Sequence, residues 1–232
     1  MTDEMISDFK PVYSQVEIQS IIAGFIDYEV LLPVKSCGSA TDISKQVNDL
    51  GSGEGTVTQA WTTMVPDGRI PVYFVPHMKN HYPLALGVLY SALNNHDDGS
   101  LKDRFQLIPI SYMKPNEFLN GPYRKFRQGV WLFSNYMWSL DINMQISEAI
   151  KKQDSKNLTI HGGPSTPEYP KASQDFMTQF KSVDISVHGE GELAIIEILE
   201  RVLKDKRGNI SYFENELIEV PGISFRALST SA

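Results

Sequence analysis

From Ile70 onward the chain repeats one pattern, a short apolar run followed by a longer segment whose apolar residues recur at helical spacing. The runs are PVYFVP (71–76), FQLIPIS (105–111), VWLF (130–133), LTIH (158–161) and VDISVH (183–188). Runs this short and this apolar suit strands buried on both faces, as in a parallel sheet covered by helices. Helical segments are expected over 83–93, 116–128, 139–152, 171–180 and 193–203. In the first, Leu84 and Val88 are read as inward-facing, with Leu86, Leu89 and Leu93, and Pro83 suits the first turn because its missing N–H is not needed there. In the third, Ile142, Ile146, Ala149 and Ile150 form the apolar stripe. A Pro221-Gly222 turn within 217–225 introduces one more strand.

Alternation of this kind predicts an α/β fold, a flavodoxin- or Rossmann-like doubly wound, five-stranded parallel sheet. Crossovers in such sheets are right-handed, which leaves few topologies. The order 2-1-3-4-5 fits best, because Pro109 assigns the second strand to an edge. Residues 70–226 then form the domain, 227–232 a tail, and 1–69 an N-terminal extension. That extension reads as an amphipathic helix over 15–32, then a glycine- and serine-rich loop over 37–58. Its Gly51-Ser52-Gly53-Glu54-Gly55 run lacks the following lysine and the preceding strand of a phosphate loop, so it reads as linker.

Composition narrows the function classes. The 232 residues carry 21 basic and 28 acidic side chains, a net charge of −7, and 41% are hydrophobic. An acidic chain of this kind is not expected to bind nucleic acid or an anionic membrane. No apolar run reaches the 18 or so residues of a membrane span, and acidic residues stand at the N-terminus where a secretory signal has basic ones. Cys37 is the single cysteine, so no intramolecular disulfide and no cysteine-rich zinc or iron–sulfur site can form within this chain. A cytoplasmic location is expected.

Ligands of open parallel sheets gather beyond the carboxyl ends of the strands. Four loops lie there: 77–82, 134–138, 162–166 and 189–192. Gly162, Gly163 and Pro164 let a flat ligand approach the backbone, and Ser165 and Thr166 add hydroxyls; the same sequence also suits a tight turn. Gly189, Glu190 and Gly191 allow an unusual turn with a carboxylate, while Glu192 reads as a helix-capping acid. Ser134, Asn135 and Tyr136 combine small polar groups with a flat face, and Trp138 reads equally as ligand contact or core. His77 and His81 lack spaced partners for a metal site. No nucleophile–base pair and no hydrolase or metalloprotease motif is present.

Taken together, YPLALGVLYSAL, SNYMWSLDINMQISEAIKK, LTIHGGPSTPEYP and VDISVHGEGELAIIEIL resemble the N-terminal cobalamin-binding domain of cobalamin-dependent radical S-adenosylmethionine enzymes. VPGISFR is similar to the segment that joins that domain to the radical barrel. The resemblance covers residues 70–226, and the pairing of GGP with GEGE carries it. It implies that cobalamin lies across the strand ends. Gly162, Gly163 and Pro164 would line the pocket of its nucleotide tail with Ser165 and Thr166 nearby, Gly189, Glu190 and Gly191 would close another wall, and Ser134, Asn135 and Tyr136 would sit near the corrin or its tail. On this reading Gly162, Gly163 and Gly189 tolerate a side chain least. Cobalamin-dependent mutases carry D-x-H-x-x-G, whose histidine ligates cobalt; the matching stretch here, Lys79 to Leu84, keeps His81 without the aspartate or glycine. The barrel and its three cluster cysteines are absent, so S-adenosylmethionine and a [4Fe-4S] cluster would belong to a missing barrel or a partner chain. The alternatives are a scaffold module without cofactor, or a flavodoxin-like nucleotide binder. A flavin protein would show a Ser/Thr-rich phosphate loop after the first strand, where this chain has His77-Met78-Lys79-Asn80-His81.

Overall fold

A computed structural model describes residues 60–76, 83–206, 208–212 and 214–226. Among these, the strands are β1 (Ile70–Val75), β2 (Phe105–Leu107), β3 (Val130–Ser134), β4 (Leu158–Gly162), β5 (Ile185–Val187), β6 (Val202–Lys204), β7 (Ile210–Tyr212) and β8 (Ile223–Phe225). The central sheet has the order β2-β1-β3-β4-β5-β8, and β6 and β7 pair separately. β1 to β5 run parallel in the expected 2-1-3-4-5 order. The sheet has six strands where five were expected, because β8 adds antiparallel to β5. Gly222, at φ +72°, turns the chain back, and its carbonyl accepts the His188 N–H at 2.8 Å.

β2 is shorter than the sequence run and lies at the edge. The Ile108 N–H still reaches the Val72 carbonyl at 2.9 Å, and Pro109, with no N–H, ends the ladder there.

The helices are α1 (Leu84–Asn95), α2 (Pro115–Phe118), α3 (Arg124–Phe126), α4 (Leu140–Gln153), α5 (Pro170–Gln179), α6 (Glu192–Arg201) and α7 (Glu214–Leu217). The helix expected over 116–128 is interrupted by a π turn, Leu119–Tyr123, that contains Pro122; a proline removes one donor from the i→i−4 ladder. The helix expected to reach Leu203 stops at Arg201, and Val202–Lys204 becomes β6.

Side chains alternate across the sheet. Ile70, Val72, Phe74, Leu132 and Ile160 pack beneath α1 and α6. Tyr73, Val75, Trp131 and Phe133 pack beneath α2, α3 and α4. Two inward assignments change. Leu84 is 65% exposed, while Leu86 and Leu93 are buried as expected, and Ile142 is exposed while Asn143 and Ser147 face inward. Trp61 and Met64 pack on the second layer and the Val65 carbonyl accepts from Gln106 Nε2 at 2.9 Å, so the chain is tied to the sheet ahead of Ile70. The helix expected over 15–32, the loop over 37–58, His77, His81 and the tail 227–232 lie outside the described residues. No helix of the described residues is long and apolar enough to cross a membrane.

Candidate functional site

A cavity of about 590 Å³ opens at the carboxyl ends of β3, β4 and β5, between α1 and α6. The pleat dictates its floor. Residues two apart on a strand share a face, so Leu132 and Ser134 of β3, Ile160 and Gly162 of β4, and Val187 of β5 all meet the same space. Ala85 and Leu89 of α1 and Ile195 of α6 form the walls. Pro164, Glu168, Tyr169, Gly189 and Glu190 form an exposed rim. The interior is apolar, and the rim is acidic. No lysine or arginine lines it among the described residues.

Of the residues singled out in the sequence, Ser134, Tyr136, Gly162, Gly163, Pro164, Thr166, Gly189, Glu190 and Gly191 line this one cavity, as does Glu192. Asn135 and Ser165 do not. Asn135 is completely buried behind the wall, and Ser165 uses its N–H to reach the Asn135 carbonyl at 3.0 Å. Trp138 is 60% exposed and stacks on Tyr136, with ring centroids 5.0 Å apart. It is surface rather than core, and it is not among the residues that line the cavity.

The glycines differ in what they do. A Cβ on Gly162 would make only ordinary contacts, 3.6 Å to Val187, and the absent side chain leaves the floor open. Gly163 sits at φ +93°, and a Cβ there would come within 2.8 Å of both the backbone nitrogen and oxygen of Asn135. Its intolerance of a side chain is a matter of loop packing. Gly189 has φ +67° with nothing within 4 Å. Ser134 Oγ is buried and has no hydrogen-bond partner, which is unusual for a buried hydroxyl.

Behind the wall lies a polar cluster that the sequence reading did not assemble. Asn135 Nδ2 donates to Thr166 Oγ1 at 3.1 Å and lies 3.3 Å from His161 Nδ1. Asn143 Nδ2 donates to Asn135 Oδ1 at 2.9 Å and to the Ser134 carbonyl at 3.0 Å. His161 Nε2 lies 3.1 Å from Ser147 Oγ, which donates to the Ser182 carbonyl at 2.9 Å. With Asn135 donating to Nδ1, the proton of a neutral ring belongs on Nε2. The signal was present in LTIHGG: a histidine at a strand's last inward position, facing polar residues at 143 and 147 on α4.

Complete burial pushes the His161 pKa down from 6.5 to about 3. The folded protein therefore keeps this ring neutral while the unfolded chain takes up a proton below pH 6.5, so stability falls as pH drops from about 6.5 towards 3. One such group contributes a slope of about 1.4 kcal/mol per pH unit. A His161→Gln variant, less stable at neutral pH, should lose less between pH 6 and pH 5 than the parent in urea titrations; equal slopes would place the ring in water.

His188 follows β5 and couples the site to β8. Its Nε2 lies 2.9 Å from Ser224 Oγ, and burial lowers its pKa. His96, Asp97 and Glu200, which could hold a metal ion, lie at the far ends of α1 and α6 from the cavity; there His96 Nε2 contacts Glu200 at 3.0 Å.

No protein-family model matches the chain. The 2-(S-pantetheinyl)-carbapenam-3-carboxylate methyltransferase of Streptantibioticus cattleyicolor is 33% identical over 97 residues, 42% of this chain and 13% of that protein. The cobalamin-dependent radical SAM methyltransferase TokK of Streptomyces tokunonensis is 30% identical over 114 residues, 47% of this chain and 15% of that protein. The chain thus spans only a small part of the curated proteins it matches. Over 42–47% of its length it shares distant, partial homology with cobalamin-dependent radical SAM methyltransferases.

Proposed function

We propose that residues 70–226 form a cobalamin-binding module that works with a radical S-adenosylmethionine barrel, carried on a further part of the protein or on a partner chain, in methyl transfer. The observation that carries this reading is the cavity floor. Gly162 leaves a space that a Cβ would begin to fill, between the aliphatic side chains of Leu132, Ile160 and Val187. An apolar slot of this kind fits a flat apolar group better than a polar one. The acidic rim, with no basic residue among the described lining, argues against a nucleoside polyphosphate held with its phosphates inside the cavity. With one cysteine, this chain cannot hold a [4Fe-4S] cluster by three thiolates; the cluster and S-adenosylmethionine belong to the barrel.

Bound cobalamin would supply a cobalt centre able to carry a methyl group. The residues of this chain bind and orient it. Gly162 and Gly163 bring backbone to the ligand, Tyr136, backed by Trp138, offers a flat face, and Glu190 offers a hydrogen-bond acceptor. Incubation with hydroxocobalamin followed by desalting should leave the visible corrin spectrum on the protein. Gly162→Val should lose at least tenfold in affinity with a melting temperature near that of the parent, because a Cβ there makes only ordinary contacts while the larger side chain takes up space at the cavity floor. A parent chain that retains no corrin spectrum at high concentration sinks the reading and leaves the scaffold role in its place.

A further inference from the structure

We infer that His96, Asp97 and Glu200 form a binding site for a divalent cation of the zinc class, which fastens the end of α1 to the end of α6. His96 follows α1 and opens the 3-10 turn His96–Asp103, whereas Glu200 stands in the last turn of α6, 104 residues further on. The two helices pack on one another over the same face of the sheet. His96 Nε2 lies 3.0 Å from Glu200 Oε1 and 3.5 Å from Asp97 Oδ2, and the three ligand atoms all fall within 4.8 Å of one another. Asp97 has φ +43°, a left-handed conformation that aspartate accepts more readily than most residues. Arg104 pins the end of α6, donating from Nη1 to the Glu200 carbonyl at 3.0 Å and from Nη2 to the Val202 carbonyl.

These spacings suit a coordination shell. A tetrahedral ion held at about 2.1 Å keeps its ligand atoms about 3.4 Å apart, and the 3.0 and 3.5 Å separations bracket that value. The Asp97 side chain is 78% exposed and that of Glu200 44%, so both can turn to close the third edge. Water takes the fourth position, as in an open zinc site. Among the described residues neither carboxylate has a lysine or arginine partner; both face the ring instead. With the ring neutral the cluster carries two negative charges, which a divalent cation balances. A ring that donates to these carboxylates carries its proton on Nε2; with the ion bound, a neutral ring keeps it on Nδ1 and offers the Nε2 lone pair. Imidazole beside carboxylates favours zinc and its neighbours over magnesium and calcium, which prefer oxygen alone. Leu89 of α1 and Ile195 of α6 wall the cavity, so the ion braces those walls from their far ends.

The test is calorimetric titration of the untagged full chain, first stripped with chelator, with zinc chloride; magnesium and calcium chloride serve as contrasts. The parent should bind zinc and, over the same concentrations, neither contrast ion. His96→Gln and Glu200→Gln should each weaken zinc by at least the roughly tenfold that even an outer-shell partner is worth. Asp97→Asn, which keeps a residue suited to the left-handed backbone, should do the same with an unchanged urea midpoint in the absence of metal. Zinc at about a hundred times its Kd should raise the parent's folded-to-unfolded ratio about a hundredfold in urea titrations, and should leave the His96→Gln midpoint where it was. A parent that binds no zinc overturns the inference. Zinc binding undiminished in the three variants places the ion on other residues and overturns it too. Magnesium bound as tightly as zinc reduces the cluster to a patch of negative charge, and the zinc-class site falls. Should His96→Gln fail to fold, the Asp97→Asn titration decides.

Discussion

Gly163→Ala should destabilise the ligand-free protein by about 3 kcal/mol, seen as a large fall in the urea midpoint. Two effects add. A side chain at φ +93° carries a backbone strain of about 1–2 kcal/mol. The new methyl would also stand 2.8 Å from the Asn135 nitrogen and oxygen and 3.1 Å from Ser134 Oγ. Overpacking of this kind adds about 1–3 kcal/mol, and here the neighbours are backbone that β3 and β4 hold in register. Gly189→Ala is the matched control. It shares the positive φ, at +67°, but its Cβ would meet nothing within 4 Å, so strain alone should appear, about 1 kcal/mol. If the two variants melt together, the close approach of the β3 and β4 loops is wrong.

Asp184→Ala should be comparably damaging, at about 3 kcal/mol. This carboxylate is only 11% exposed and lies 2.9 Å from Lys151 Nζ, itself 20% exposed. Asp184 also accepts the Thr159 N–H and hydroxyl, each at 2.9 Å. Removing it takes the counter-charge from a mostly buried ammonium, which keeps only the Ser155 and Asn157 carbonyls at 2.8 Å each, and leaves a strand amide without its acceptor, the case in which one partner's loss costs more than the pair contributes. Pairing the change with Lys151→Met should recover a good part of the loss, since the double variant buries no unpaired charge. Chemical denaturation of the two single variants and the double variant completes a cycle. A double variant as unstable as the sum of the singles would show that the ion pair does not matter.

The strands and their order were legible because burial on both faces forces continuous apolar runs, and because proline marks an edge. Pro109 did this at β2. β8 was less legible in its role: ISF reads as a strand, but nothing local reveals that it runs antiparallel beside β5. β6 was hidden because Val202 and Leu203 continue the spacing of α6, and a three-residue hairpin partner leaves no period of its own. At the site, composition located the loops that surround the cavity. It could not separate Gly162 from Gly163, since the difference is a dihedral angle and the distance to another loop. It also missed His161, Asn143 and Ser147. Polar residues on a helix normally mark its solvent face, and here they mark the face turned towards the strand ends, where each finds a partner.

Asn135 has a consequence for anyone who would re-engineer the cavity. Its N–H donates to the Gly162 carbonyl at 2.7 Å, its carbonyl accepts from Ser165, and its side chain reaches Thr166. The segments after β3 and β4 are thereby knitted into one piece. The segment after β5 is anchored elsewhere, through the His188 N–H to Gly222 and the His188 ring to Ser224. Recombination between homologues should therefore exchange 134–136 and 162–166 as a single cassette, whereas 188–191 travels with 222–224. A library that shuffles across these two cassettes keeps every such bond; one that cuts within the first severs the cavity wall from its own support.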